Sequence, residues 1–353
     1  MKTTNASRVL TAGLSRRAFV GASLASAATL VLAGCNSGSG SADASSDSKA
    51  ASGEKTKITF CLDYTPNTNH TGIYVAQNKG FFADEGLEVE IVQPADGTAE
   101  GAIGTGQAQL GVSYQDYLAA AYDAGNTGLT AVAAVIQHNT SGIMSRAEDG
   151  ITHAALMEDH VYTTWDMAVE QATIKQIMTT DGGDFSKLKM VPFTVDDEVQ
   201  GLKANMFDCV WVYEGWAVQN AAVQDYPVNY FSFKDMDDVF DFYTPVLAAN
   251  NDFMKSNPDA VKAFLRAAKK GYEFAVEHPE DAAQILCDEV PELDSALVEA
   301  SAKYLADQYT ADASSWGVID GKRWAAYFQW LNDNGLVENK LDVNAGFDTS
   351  YLA

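Results

Sequence analysis

This chain is poor in cysteine, histidine and positive charge, and each shortage excludes something. Its four cysteines stand alone at Cys35, Cys61, Cys209 and Cys287, and its five histidines form no HxH or HExxH group. That pattern excludes a metal site and a disulfide framework. Cys61, Cys209 and Cys287 sit in apolar stretches, where a thiol serves as a small buried hydrophobe. Only 23 lysines and arginines face 48 aspartates and glutamates, for a net charge of −25. Nucleic acid and anionic membrane surfaces are therefore poor partners. Long apolar runs are also missing, and the one that ends at Val31 is too short to span a membrane. What remains is 353 residues, 47% hydrophobic, enough for one large or two medium cores.

The N-terminus reads as an address. Ser15-Arg-Arg-Ala-Phe-Val20 has the form of a twin-arginine export signal. The apolar run after it closes on Leu32-Ala-Gly-Cys35, a lipobox in which Cys35 is acylated and becomes the new N-terminus. Residues 1–34 are then a signal peptide, and residues 35–57 a lipidated cysteine with a flexible Gly/Ser/Ala/Asp tether. The expected location is the extracytoplasmic face of the cell membrane, held by lipid and not by a spanning helix.

From Ile58 onward short strand-like runs alternate with helical ones. The spacing predicts strands at 58–62, 87–92, 108–112 and 131–137, with helices over 71–82, 98–105 and 114–124. A second set follows, with strands at 161–164, 188–191 and 209–212 and helices at 167–179 and 198–204. After Pro245 the pattern turns helical to residue 334. This βαβ rhythm predicts an α/β fold with mostly parallel sheets. Gln109-Leu-Gly-Val-Ser-Tyr-Gln115 also echoes Asp208-Cys-Val-Trp-Val-Tyr-Glu214 at a shift of 99 residues, which suggests two similar lobes. We place one lobe at 58–146 plus 245–353 and the other at 147–244.

In open α/β sheets, ligands bind beyond the carboxyl ends of the strands. The loops there contain Asp63, Tyr64, Asn67, Asn69, His70, Asp96, Tyr114, Gln115, Asp116, Trp165, Asp166, Asp196, Asp197, Tyr213, Glu214 and Trp216, and no lysine or arginine. An anion would need a cationic fork or a bare helix N-terminus. A flat, neutral or cationic ligand with N–H donors, such as an aminopyrimidine, suits aromatic faces and carboxylate or amide acceptors. Bland readings stand beside this one. Asp116 and Asp166 also read as charges at helix starts, Asn67 and Asn69 as turn residues, and Tyr114, Tyr213 and Trp216 as packing. Glu214, a carboxylate between two aromatics, carries the sharpest expectation.

Leu62-Asp-Tyr-Thr-Pro-Asn-Thr-Asn-His-Thr-Gly72, Lys79-Gly-Phe-Phe82, Gln137-His-Asn-Thr-Ser-Gly142 and Trp211-Val-Tyr-Glu-Gly-Trp216 carry a resemblance. Over residues 57–350 the chain resembles solute-binding proteins of ABC importers that take up thiamine pyrimidine precursors. The resemblance implies a type II periplasmic-binding-protein fold, two open α/β lobes around a ligand cleft. It implies no cofactor, a monomer, and permease and ATPase subunits as partners. Together with the strand-end rule, this gives Asp63, Tyr64, Asn67, Asn69, His70, Tyr114, Gln115, Trp165, Asp166, Tyr213, Glu214 and Trp216 as the expected ligand-binding residues. A related branch is a pyrimidine synthase that consumes its own histidine and bound pyridoxal phosphate, and His70 lies in the matching loop. That branch has a cysteine-rich run and a Gly-rich phosphate cradle. This chain has no such run, and Tyr162-Thr-Thr-Trp-Asp166 stands at the cradle position without a glycine.

Overall fold

The computed structural model describes residues 55–94, 98–193 and 197–352. The leader, Cys35 and most of the tether lie outside the described residues, as do Asp96 and Asp196. The chain begins with β1 (Thr56–Cys61), α1 (Thr71–Asn78), α2 (Phe81–Asp84), β2 (Leu87–Val92) and α3 (Ala99–Gly104). It continues through β3 (Leu110–Ser113), α4 (Gln115–Asp123), β4 (Leu129–Ala134) and β5 (Ser141–Arg146). Next come β6 (Val161–Thr164), α5 (Ala168–Thr180), β7 (Lys189–Pro192), α6 (Glu198–Lys203), β8 (Cys209–Tyr213), α7 (Gln219–Val223) and β9 (Val228–Ser232). After β10 (Val246–Asn250) the chain is helical: α8 (Asn251–Ser256), α9 (Pro258–Glu277), α10 (Pro279–Glu289), α11 (Ser295–Ala306) and α12 (Gly321–Asp333).

The strands make two five-stranded sheets of matching order, β2-β1-β3-β10-β4 and β7-β6-β8-β5-β9. In each, four strands share one direction and the fourth in order is antiparallel to both neighbours. The 99-residue echo falls on equivalent positions. Leu110 pairs with Phe60 of β1, and Cys209 pairs with Tyr162 of β6. The inserted strands are exchanged between halves: β5 comes from before the second sheet's own βα units, and β10 returns late to the first sheet. Two corrections follow. β5 belongs to the second sheet, so the expected lobe boundary at residue 146 falls one strand too late. β10 is a sheet strand where the sequence pattern predicted only helix.

The chain therefore crosses between the sheets twice, at residues 135–140 and 233–245. The crossings are tied to each other. Asn139 donates from its backbone N–H to Asp241 Oδ1 (2.9 Å) and from Nδ2 to the Phe240 carbonyl (2.8 Å). Arg323 of α12 donates to Asp241 as well, at 2.8 Å.

Strand alternation builds the core. Ile58, Phe60 and Leu62 face α1 and α9, while Cys61 faces the opposite side with Ile103 and Leu118. α1 and α9 meet through glycines. A Cβ on Gly271 would stand 1.9 Å from the Gly72 carbonyl oxygen, and one on Gly72 would stand 2.3 Å from the Tyr272 ring. This close approach pins α1, and with it the loop that leads into it. Among the described residues no helix is long and apolar enough to cross a membrane.

Candidate functional site

Five aromatic side chains are exposed among the described residues, and every one stands at the carboxyl end of a strand. They are Tyr64 after β1, Tyr117 after β3, Trp165 after β6, Phe193 after β7 and Tyr213 at the end of β8. Exposed rings cost hydration free energy unless something covers them. The two sheets present these ends to each other. The Tyr213 ring is partly open, but its hydroxyl end is crowded by neighbours, and this desolvation, with the nearby Asp116 carboxylate next and Asp63 and Tyr117 also in reach, holds it far above the usual phenol range.

The loop after β1 is built from its own side chains. Asn67 Oδ1 accepts from the Asn69 N–H (2.9 Å), and the Asn67 N–H donates to His70 Nδ1 (3.1 Å). With Nδ1 accepting, the ring proton of neutral His70 is on Nε2, which lies 2.6 Å from Asp63 Oδ1. Tyr114 donates its hydroxyl to the other Asp63 oxygen. Burial raises the Asp63 carboxyl, but the bonds from His70 and Tyr114 outweigh it and hold the group below its ordinary value. His70 is fully buried with both ring nitrogens engaged. It braces the loop and does not face a ligand, so the expectation that it lines the site is corrected. Asn67 is likewise a turn residue, its amide nitrogen bonded to the Thr65 carbonyl. Asn69 is half-buried, and its carbonyl accepts from Tyr272. α11 clasps this region from both sides. Ser301 meets Thr68 at 2.6 Å and also donates to the Gly215 carbonyl beyond β8.

Gln115 is the second correction. Its side chain is fully buried, with Nε2 donating to the Trp324 carbonyl (2.8 Å) and Oε1 accepting from the Tyr243 N–H (3.0 Å). Both ends are spent on backbone. Its counterpart Glu214 is half-buried, and Oε2 accepts from Tyr304 of α11 at 2.7 Å. The next residue after Gln115 is different again. Asp116 Oδ1 is buried with no hydrogen-bond partner, and burial lifts this carboxyl to about 6, with nearby Glu100 adding to the effect and backbone N–H groups opposing it. Ser141 Oγ and Trp211 Nε1 are also buried without partners. Ser141 pairs with Tyr213 in the second sheet, Trp211 shares the Tyr213 face of β8, and Thr244 lies beside Tyr213. Buried polar groups are normally satisfied. Three such atoms, Asp116 Oδ1, Ser141 Oγ and Trp211 Nε1, gather around the exposed Tyr213 at the strand ends.

The turn from β6 to α5 stands where a Gly-rich cradle was expected to matter. Its backbone N–H groups are taken by buried Glu170: Trp165 donates at 3.1 and 3.2 Å and Met167 at 3.4 Å. Tyr162 and Thr164 hydroxyls complete the shell at 2.7 and 2.8 Å. An internal carboxylate thus fills the position in which an anion would sit. The Trp165 ring lies 5.7 Å from Trp211. Asp166 is exposed, in a left-handed conformation (φ 61°), and accepts from Gln171. Trp216 is half-buried in a π-helical turn, Glu214–Val218.

Residues 67–282 match the NMT1/THI5 like family. The chain belongs to that family. Similar to this NMT1/THI5-like chain is a formylaminopyrimidine-binding protein of Halalkalibacterium halodurans, 26% identical over 91% of this chain and 96% of that one. A 4-amino-5-hydroxymethyl-2-methylpyrimidine phosphate synthase of Saccharomyces cerevisiae is 24% identical over 68% of this chain and 73% of its own. Among solved structures, the periplasmic aliphatic sulphonate binding protein of Escherichia coli superposes with a TM-score of 0.65, at 14% identity, over 84% of this chain and 99% of that one. The fold is the type II periplasmic-binding-protein fold.

Sequence reasoning missed several parts of this site in the NMT1/THI5-like chain. Glu170 had a signal: it stands three residues after the α5 N-cap, where a carboxylate reaches back to the turn's donors. Tyr304, Trp211 and Thr244 had none, because only the tertiary fold brings them to the strand ends. Asp116 was visible in its loop, but from sequence it reads equally as a helix-start charge.

Proposed function

We propose that this protein is the extracytoplasmic solute-binding component of an ABC importer and captures an aminopyrimidine precursor of thiamine. The observation that carries the reading is the chemistry of the strand-end junction. It offers stacking rings and buried unpaired polar atoms, and the turn from β6 to α5, which an anion would fit, is already closed by Glu170. Such a site rejects sulfonate and phosphate groups and suits a flat heterocycle with an exocyclic amine. The kinship to a formylaminopyrimidine-binding protein over nearly the full chain supports the same ligand class. The two sheets are the lobes that close on it, with residues 135–140 and 233–245 as the hinge strands.

The protein acts as a binder and not as an enzyme. A histidine donated to a product must be reachable, and His70 is fully buried in its brace with Asp63. A phosphate-bearing cofactor would also need the N–H groups that Glu170 occupies. Cys35 carries the lipid after twin-arginine export, and permease and ATPase subunits receive the ligand. A thermal-shift panel tests the reading. Hydroxymethyl- or formylaminopyrimidine at 100 times its Kd stabilises the protein by about 2.7 kcal/mol, and taurine and nitrate leave it unmoved. A shift with alkanesulfonates and none with pyrimidines would overturn it.

A further inference from the structure

We infer that Asp116 Oδ1 is the atom that recognises a ring nitrogen of the ligand, by sharing a single proton with it. The inference rests on the proposed function and names the contact on which ligand specificity turns. Asp116 opens α4 on the first sheet's side, and its backbone-facing oxygen takes N–H groups of the helix start. The other oxygen, Oδ1, is buried and bonded to nothing. Tyr213 from β8 lies within its field, so it stands where the two halves meet. Trp211 Nε1, on a residue more than nine-tenths buried, is unpartnered at the same junction and provides a separate sign that a polar ligand edge belongs there.

The groups that feel Asp116 are Glu100 of α3, Tyr117 of its own helix, Tyr213 of β8 and Tyr327 of α12. None is a cation. With no positive partner, the carboxyl holds its proton to about pH 6, two units above an ordinary aspartate. Its backbone-facing oxygen is occupied by donors, so the proton sits on Oδ1 and points into the junction. Below about pH 6 the neutral acid donates O–H to an unprotonated ring nitrogen. A carboxylate and a protonated ring form the identical complex, because the proton moves across the same hydrogen bond and nothing else changes. The complex contains one shared proton. Above the pKa values of both partners that proton must come from solvent, and affinity falls about tenfold per pH unit. In acid, where both partners already hold one, affinity falls again.

Calorimetric titration of the purified protein with 4-amino-5-hydroxymethyl-2-methylpyrimidine from pH 4.5 to 8.5 tests this. The wild type should give a bell-shaped affinity profile with uptake of close to one proton per ligand at pH 8. Asp116→Asn replaces the shared proton with a fixed amide N–H donor, so its affinity should be flat through the alkaline range with no proton uptake. Asp116→Ala should lose binding at least tenfold at pH 6. A carbocyclic probe without ring nitrogens, 2-aminobenzyl alcohol, should bind the wild type weakly and without the alkaline fall. If the wild type binds with a flat profile, or Asp116→Asn keeps the wild-type profile, the inference fails and the proposed function stands. If the wild type does not bind the pyrimidine at any pH, both fail.

Discussion

Asp116→Asn should reveal the cost of keeping an unpartnered carboxyl in the protein before any ligand arrives. Burial raises the Asp116 pKa from 3.8 to about 6 on folding, so ionisation opposes the folded state. The sign follows directly. Below about pH 4 the group is protonated in both states and its effect is absent. As pH rises from about 4 to 6 the unfolded chain ionises and the folded one does not, so stability is lost across that window and levels off above it. Two units correspond to about 3 kcal/mol at 1.36 kcal/mol each. Residual solvent contact of the half-buried side chain brings the expectation to about 2–3 kcal/mol. An asparagine exchanges one unpartnered atom for another, so a constant offset is expected, and the readout is its change with pH. Urea unfolding of ligand-free wild type and variant at pH 4, 5, 6, 7 and 8 gives that difference directly. It should grow in the variant's favour by about 2–3 kcal/mol between pH 4 and pH 8, or roughly 4–8 °C in Tm for a chain this long. Other titrating groups cancel in the difference. A difference independent of pH, or one that grows in favour of the wild type, would refute the desolvation argument.

Gln115→Ala should damage folding and not recognition. It leaves the Trp324 carbonyl and Tyr243 N–H buried and unpaired, at a cost of about 2–4 kcal/mol in urea unfolding; an unchanged stability with a lost affinity would restore Gln115 to the site. Gly271→Ala drives a Cβ into the Gly72 carbonyl and should cost more than about 3 kcal/mol by the same measurement, because backbone and not a flexible side chain must move.

How much of this was legible in the sequence depended on the range of the interaction that mattered. β1 to β4 and β6 to β8 follow local alternation, and α9 to α12 announce themselves by period and by Pro258 and Pro279 at their first turns. β5, β9 and β10 did not announce themselves. Ser141–Arg146 contains Gly and Ser with little apolar patterning, and Val246–Asn250 runs straight into α8. They are strands because each inserts antiparallel between, or beside, strands from another part of the chain. The site divides the same way. The loops named from the strand-end rule do follow the carboxyl ends of strands, and the 99-residue echo matched Gln115 with Glu214 in position. Position did not determine exposure. α12 covers the exit of β3 and consumes Gln115, while the exit of β8 meets Tyr304 and leaves Glu214 half-buried. His70 looked like a ligand contact because its loop is polar and aromatic. It is the brace beneath that loop, because Asp63 and Asn67 reach it first.

The central claim is that the junction of the two sheets binds one uncharged aminopyrimidine, and calorimetric titration at pH 6.5 tests it most directly. The account predicts one site per chain for 4-amino-5-hydroxymethyl-2-methylpyrimidine with micromolar or tighter Kd, about −8 kcal/mol or better. It also predicts a clear loss of affinity in Trp165→Ala and no heat with ethanesulfonate. Saturable binding of ethanesulfonate without binding of the pyrimidine would contradict it.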